Sequence, residues 1–210
     1  MAKEKTLTDA FYETLKDVYY AEKQSVRALT KSAKAAKAPE LKQVFEEHRD
    51  ESAGQVERLE RVFEVLGKPR RAKTCEAMQG LSQEMEEDLS DFGGTPAADA
   101  VLIGCAQAIE HYEIARYGTL KTWATQLGLN EAADLLGETL EEEKAADQKL
   151  TQVAEAAANA DAGEGDTQDE EDEQEDEEED EEAQEAEKAK EAEAKSSKSA
   201  SKNTKSKTKA

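Results

Sequence analysis

Carboxylate and imidazole side chains interrupt the apolar faces of predicted helices at positions where a core residue is expected. Glu22 continues an apolar series at three- and four-residue steps, and Glu110 and Glu113 do the same on a later helix. Burying several unpaired carboxylates costs several kcal/mol each unless protons or cations offset their charge. Oxygen-rich sites with one or two imidazoles suit iron or manganese better than copper. The pattern therefore predicts a metal site in the core of a helical bundle.

Each of the four long predicted helices contributes an inward carboxylate near its middle, the arrangement expected of a di-iron or di-manganese site bridged by carboxylates. The predicted ligands are Glu22, Glu51, Glu113 and Glu143, with His48, Gln55, Glu110 and Asp147 as further ligands or their hydrogen-bond partners. On the second helix the inward position is Glu51 or Ser52, and on the last helix the apolar series favours Glu143 over its neighbour Glu142. The pattern assigns no catalytic residue and leaves open whether the protein is an enzyme.

An alternative interpretation needs no metal. Glutamate is abundant, so any single inward glutamate can be an edge residue or an ion-pair partner, and His48 can be a hydrogen-bonded boundary residue. Tyr117, beside the carboxylates, can hydrogen-bond to one of them or take part in electron transfer. The protein would then be a non-enzymatic helical dimer with a polar network in its core, whose charged tail contacts a partner or DNA.

The helices that must position these side chains follow from periodicity and punctuation. They span approximately residues 8–37, 39–66, 75–92, 96–127 and 131–153. Pro39 suits a first helical turn, and Gly67 and Gly128 suit helix ends. We expect Thr74, Thr95 and Asn130 to cap the last three helices, with Asp99 as an acid in the first turn of the fourth.

No stretch shows the alternation of apolar and polar residues that is typical of a strand, so the predicted fold class is all-α. Two long helical hairpins joined by a short crossing helix make a four-helix bundle with a fifth, connecting helix. This connectivity is that of ferritin-like bundles, although an ordinary four-helix bundle is also compatible with it.

Charge divides the chain into three parts that together give a formal net charge of −22. Residues 1–160 form the predicted bundle. Residues 161–187 are acidic without a single Lys or Arg, and residues 188–210 are rich in Lys, Ser and Ala. Alanine is the only apolar residue type after residue 160, so we expect both terminal parts to be disordered. The lysines of 188–210 predict weak, salt-sensitive nucleic-acid contact, with a purely solubilising tail as the alternative.

Cellular location follows from what the sequence lacks. The N-terminal residues have no apolar signal-peptide core, and no apolar run approaches the length of a membrane span. The two cysteines, Cys75 and Cys105, do not form a disulfide framework. We therefore expect a cytoplasmic protein that makes no membrane contact.

Several motifs resemble those of the YciE/YciF stress-protein family. They are Tyr20-Ala-Glu-Lys-Gln24, His48 with Glu51 and Gln55, Glu110-His-Tyr-Glu-Ile-Ala115, Tyr117-Gly-Thr-Leu120 and Leu140-Glu-Glu-Glu143 with Asp147. The resemblance implies a ferritin-like bundle, a homodimer and a role in the stress response, with metal or peroxide chemistry as the hypothesis for its activity. Ferritin-like di-iron sites use two Glu-x-x-His pairs, but here Gly54 and Ala146 stand at the histidine positions.

Overall fold

The computed structural model describes residues 4–159 and 162–163, and within them the protein is helical with no strand. The helices are α1 (Leu7–Ala35), α2 (Pro39–Val65), α3 (Glu76–Phe92), α4 (Ala98–Gln126) and α5 (Asn130–Val153), followed by a π-helical turn at Ala154–Ala158. Four long helices and a shorter connecting helix confirm the predicted all-α fold class.

Local sequence signals explain several helix ends. Thr6 and Asp9 form a capping box at the start of α1, in which each side chain accepts a hydrogen bond from the other residue's backbone N–H. Pro39 opens α2, as predicted. Gly67 and Gly128 follow α2 and α4 with φ of 65° and 72°, a left-handed conformation that favours glycine, so both predicted helix stops are confirmed.

All three predicted caps, Thr74, Thr95 and Asn130, are wrong. Cys75 rather than Thr74 caps α3, its Sγ accepting from the backbone N–H of Met78 at 3.5 Å. Before α4 and α5 the capping positions are Ala97 and Leu129, and neither makes a side-chain cap hydrogen bond. Thr95 instead closes the preceding turn, where its hydroxyl donates to the carbonyl of Phe92.

Asp99 stabilises the start of a different helix from the one that contains it. Its two carboxylate oxygens accept from the backbone N–H groups of Lys37 and Ala38, at 2.9 and 2.8 Å. Ala38 is the residue before α2, whose first N–H groups have no partner within the helix. A single buried carboxylate therefore ties the start of α4 to the α1–α2 connection.

The four long helices form two antiparallel hairpins packed side by side. α1 packs on α2 and α4, and α5 packs on α4 and α2. Lys37, just after α1, meets Asp99 at the start of α4, whereas Glu22 in the middle of α1 meets Tyr117 farther along α4. These two helices are therefore antiparallel. This is the up-down-down-up order of a ferritin-like bundle, in which a crossover must return the chain between the hairpins.

Helix α3 makes that return along the outside of the bundle. Cys75 at its start lies against Tyr112, and Asp88 near its end lies against Cys105, so α3 runs antiparallel to α4. It also packs on α1. Met78 and Met85 are its buried side chains, so α3 covers the seam between α1 and α4 with a thin apolar face.

The core has two apolar layers separated by a polar middle. One layer gathers the beginnings of α1 and α5 with the ends of α2 and α4, around Phe11, Leu15, Leu59, Phe63, Leu120 and Leu136. The other gathers the opposite ends, around Leu29, Leu41, Phe45, Leu102, Ile103 and Leu150. Each such side chain stabilises the fold by about 1.5–3 kcal/mol through burial. These layers offset the cost of the buried polar groups between them.

The predicted acidic and basic segments, 161–187 and 188–210, lie outside the described residues except for positions 162 and 163, so their predicted disorder stays a prediction. None of the helices described is both long and apolar enough to cross a membrane.

Candidate metal centre

Five ionisable side chains from all four long helices meet in the polar middle of the bundle. We call this set the carboxylate cluster. Its members are Glu22 of α1, His48 of α2, Glu110 and Glu113 of α4, and Glu143 of α5, and none is more than 4% exposed. Glu110 and Glu113 lie almost one helical turn apart, so both face inward. The predicted inward orientation of these residues is confirmed.

The cluster divides into two groups of three that share Glu143. One group is His48, Glu110 and Glu143, and the other is Glu22, Glu113 and Glu143. In each group one potential ligand atom per residue lies within 4.8 Å of the others. Two ligands on opposite sides of a metal ion, each about 2.1 Å from it, are about 4.2 Å apart. Small side-chain shifts would therefore let each group hold one ion, with Glu143 between the two.

Unpaired buried atoms support this fit. The atoms without a hydrogen-bond partner in the described part of the chain include Oε1 of Glu22, Oε2 of Glu110, Oε1 of Glu113 and both carboxylate oxygens of Glu143. Buried polar atoms are nearly always satisfied in native proteins, and leaving one unsatisfied costs about 1–3 kcal/mol. The concentration of unpaired polar atoms in this cluster indicates that protons, water or cations complete the site.

Neighbouring hydroxyl groups hold one cluster carboxylate of α1 and one of α4. The buried Tyr117 hydroxyl donates to Oε2 of Glu22 at 2.6 Å, and Ser25 donates to Oε2 of Glu113 at 3.4 Å. In each case the other carboxylate oxygen stays unpaired. Each glutamate thus has one oxygen fixed by the protein and one available to a ligand.

Burial raises the pKa of the carboxyl groups. It brings the pKa of Glu22 from 4.5 to about 7, partly opposed by the Tyr117 hydroxyl. The pKa values of Glu113 and Glu143 also lie well above 4.5, because burial is reinforced by the neighbouring carboxylates. Without a cation, the site therefore stays partly protonated near neutral pH.

His48 is held by carboxylates on both sides of its ring. Nε2 lies 3.0 Å from Glu110 and 3.6 Å from Glu143, and Nδ1 lies 3.5 Å from Glu51. Burial lowers the pKa of His48, but Glu110 and Glu51 raise it by more, so it lies well above 6.5. A cation bound in the cluster would take the place of the proton on Nε2, since a histidine ligand must be neutral.

Three of the predicted ligands lie outside the cluster. Glu51 is 44% exposed and contacts the outer ring nitrogen of His48, while Ser52 takes the fully buried position. Of the two residues predicted for the inward position of α2, Ser52 occupies it and Glu51 lies beside it at the surface. Gln55 is fully buried but donates to Glu142, and Asp147 lies at the edge, where it accepts from Gln107.

Glu143 rather than Glu142 faces inward, as the apolar series predicts. Glu142 accepts a bidentate pair from Arg58 of α2 at 2.7 and 2.8 Å, and Arg58 also donates to Thr139. Sequence reasoning did not assign this role to Arg58. Its position in the sequence could have indicated this role, since Arg58 directly precedes the core residue Leu59 and its long side chain can reach across the edge of α2 to α5.

Comparison with known proteins agrees with this architecture. The family model described as Domain of unknown function (DUF892) matches residues 6–163. The chain belongs to this family. Protein YciF of Escherichia coli (strain K12) is 50% identical over 152 residues, which are 71% of this chain and 91% of that protein. The resemblance to the YciE/YciF family is thereby confirmed.

Solved structures of similar proteins share this fold. The crystal structure of the E. coli stress protein YciF matches with a TM-score of 0.71 and 47% identity, covering 74% of this chain and 99% of that one. YcfI from Rhodopseudomonas palustris matches with a TM-score of 0.69 and 39% identity, covering 72% and 97%. A Xanthomonas campestris protein, at 23% identity and a TM-score of 0.59, supports the fold alone.

Proposed function

We propose that the protein is a ferritin-like stress-response protein of the cytoplasm whose carboxylate cluster binds two iron or manganese ions. The observation that carries the proposal is the pair of three-residue groups joined at Glu143, with their unpaired buried ligand atoms. Four carboxylates and one imidazole form a donor set suited to Fe²⁺ or Mn²⁺. When bound, such ions would supply redox chemistry toward small oxygen species.

The two positions differ in their ligands. One has the imidazole of His48, whereas the other is formed by carboxylates alone. Tyr117 and Ser25 hold one oxygen each of Glu22 and Glu113, and Glu51 contacts the outer ring nitrogen of His48. The protein's own contribution is to hold these ligands in place and to keep bulk water from them. We expect two unequal binding steps, with the His48 position preferring the ion that binds nitrogen ligands more tightly.

Metal content per chain tests the proposal. Chelator-treated protein is loaded anaerobically with Fe²⁺ or Mn²⁺, freed of excess ion and analysed by mass spectrometry, and we expect about two ions per chain. His48→Gln should reduce the content to about one, whereas His111→Gln, at the exposed second histidine, should leave it unchanged. A Glu22→Ala, Glu113→Ala double variant should also lose metal. Near-zero content in the parent, or unchanged content in the double variant, would refute the proposal.

A second candidate is favoured by the hydrogen bonds within the cluster. The bonds from Tyr117 to Glu22 and from Ser25 to Glu113, with raised carboxyl pKa values, also suit a metal-free, partly protonated network in a non-enzymatic homodimer. Unfolding that chelator does not affect would support it. Light scattering tests the dimer expected for either candidate.

The charged tail is a separate part of the proposal. The eight lysines of residues 188–210 would give weak, non-specific nucleic-acid contact. Mobility-shift assays at low and moderate salt, with and without residues 161–210, test it. Equal mobility shifts for both proteins would exclude the tail as the contact.

A further inference from the structure

Two further buried polar side chains lie in the polar middle of the bundle, on the α2 side. Phe45 of α2 belongs to one apolar layer and Leu59 to the other. Between them, His48, Ser52 and Gln55 follow one another at steps of four and three residues, so they share one face of the helix. Ser52 and Gln55 are fully buried, and Oγ of Ser52 and Oε1 of Gln55 have no hydrogen-bond partner among the described residues. Unpaired polar atoms therefore continue along α2 beyond the carboxylate cluster.

The amide group of Gln55 has a fixed direction. Its Nε2 donates to Oε2 of Glu142 at 3.0 Å, and Glu142 lies at the edge of the bundle with 30% of its side chain exposed. Arg58 donates to both oxygens of the same carboxylate, at 2.7 and 2.8 Å. A carboxylate paired with a guanidinium group offers acceptors only, so the amide must turn an N–H toward it. The oxygen of Gln55 is therefore turned away from Glu142 and toward the interior.

The positive charge of Arg58 is engaged on α5, outside the carboxylate cluster. Besides its pair with Glu142, its Nη1 donates to Thr139 and its Nε lies 3.3 Å from Glu138. All three of its nitrogen atoms thus contact oxygen atoms of α5. The Gln55 oxygen adds one more acceptor to a polar middle rich in carboxylates, and leaving it unpaired costs about 1–3 kcal/mol. A cation would remove this cost.

The place of Gln55 along the bundle matches one of the two ion positions. Gln55 precedes Leu59 by about one turn, and Tyr117 belongs to the same apolar layer as Leu59. The Tyr117 hydroxyl donates to Glu22, whereas His48 lies at the opposite end of the polar middle. Gln55 is therefore on the side of the position that has no imidazole. We call it the carboxylate-only position, formed by Glu22, Glu113 and Glu143.

We propose that Gln55 is a further oxygen ligand for the ion at the carboxylate-only position, and that Glu142, held by Arg58, is the positioning residue that keeps the amide oxygen inward. The inference rests on the proposed metal centre, to which it adds one ligand. Amide oxygens bind hard cations together with carboxylates, and they suit Mn²⁺. Because the amide is neutral, it binds the ion without adding to the repulsion among the carboxylates.

Manganese affinity measures the ligand role. Protein stripped of metal and freed of chelator is titrated anaerobically with Mn²⁺, and electron paramagnetic resonance reports the free ion. Gln55→Leu should weaken the binding of one of the two ions by about 10–100-fold. Glu142→Gln should weaken the same ion, because its amide can pair with either end of the Gln55 amide. Glu138→Gln is the control, since it removes the same charge beside Arg58 at an exposed residue, and it should change neither affinity.

A double-mutant cycle separates positioning from a general effect of the Arg58–Glu142 pair. A carboxylate presents an oxygen in either direction, so Glu142→Gln should cost no affinity in the Gln55→Glu background. A merely structural role of the pair, or the loss of charge alone, would weaken the ion equally in both backgrounds.

Circular dichroism in chelator shows whether each variant folds. Glu142→Gln, at the edge of the bundle, keeps the inference testable if Gln55→Leu does not fold. Unchanged affinities in Gln55→Leu, or an equal effect of Glu142→Gln in both backgrounds, would overturn the inference. When the parent binds two ions, these results refute the roles of Gln55 and Glu142 alone. A parent that binds almost no Mn²⁺ or Fe²⁺ would refute the proposed function, and the ligand role with it.

Discussion

Stability of the metal-free protein should fall as pH rises from mildly acidic to mildly alkaline values. Burial brings the pKa of Glu22 from 4.5 to about 7. At roughly 1.4 kcal/mol for each pH unit, this rise corresponds to about 3 kcal/mol. Between these two pKa values the folded protein keeps a proton that the unfolded chain has released, so the free energy of unfolding decreases as pH rises.

Other groups of the cluster act in the same direction. Glu113 and Glu143 also have raised pKa values, so each contributes stability that is lost above the usual glutamate pKa. The raised pKa of His48 contributes stability that is present below pH 6.5 and lost as pH rises through its folded-state pKa. For Glu22 alone the loss corresponds to a decrease of about 6–12 °C in Tm for a domain of this size.

Thermal unfolding with excess chelator, at several pH values from about 5 to about 8 and constant ionic strength, measures this effect. Glu22→Gln should reduce the decrease, since the amide does not titrate and can still accept from Tyr117. Glu64→Gln, at an exposed position of α2, removes the same charge and should not change it. Adding Mn²⁺ should remove most of the decrease, because the ion binds the deprotonated carboxylates. Constant or rising stability over this range in chelator would refute the reasoning.

Two further predictions concern the positions that shape the helix connections. Asp99→Ala should lower the free energy of unfolding by about 1–3 kcal/mol, because the part-buried backbone N–H groups of Lys37 and Ala38, just before α2, lose their acceptor. Urea unfolding measures this loss. A loss no greater than that of Asp91→Ala, at an exposed position of α3, would contradict the capping role. Gly128→Ala should destabilise by about 1 kcal/mol since φ is 72° there, whereas Gly54→Ala, in the exposed interior of α2 with free space around it, should stabilise by about 0.5–1 kcal/mol. Equal changes in the free energy of unfolding for the two substitutions would show that backbone conformation does not determine their effect.

Helical periodicity located most of the carboxylate cluster, but it could not choose between adjacent residues. Glu51 and Ser52 are about 100° apart around α2, and both lie near the boundary of its apolar face. Packing of α2 against α1 and α5 places Ser52 inside and leaves Glu51 beside His48 at the surface. On α5 the same ambiguity was resolved correctly, because Leu136 and Leu140 define the inward face just before Glu143.

The sequence by itself determined the helices, their order and the presence of buried carboxylates, because helix formation and amphipathicity depend on residues three and four positions apart. The glycines after α2 and α4 were equally local signals. Only the tertiary structure decided which carboxylates meet, that Asp99 caps α2 rather than its own helix, and that Glu142 fixes the amide of Gln55. These features join residues far apart in the chain, and their geometry depends on how whole helices pack.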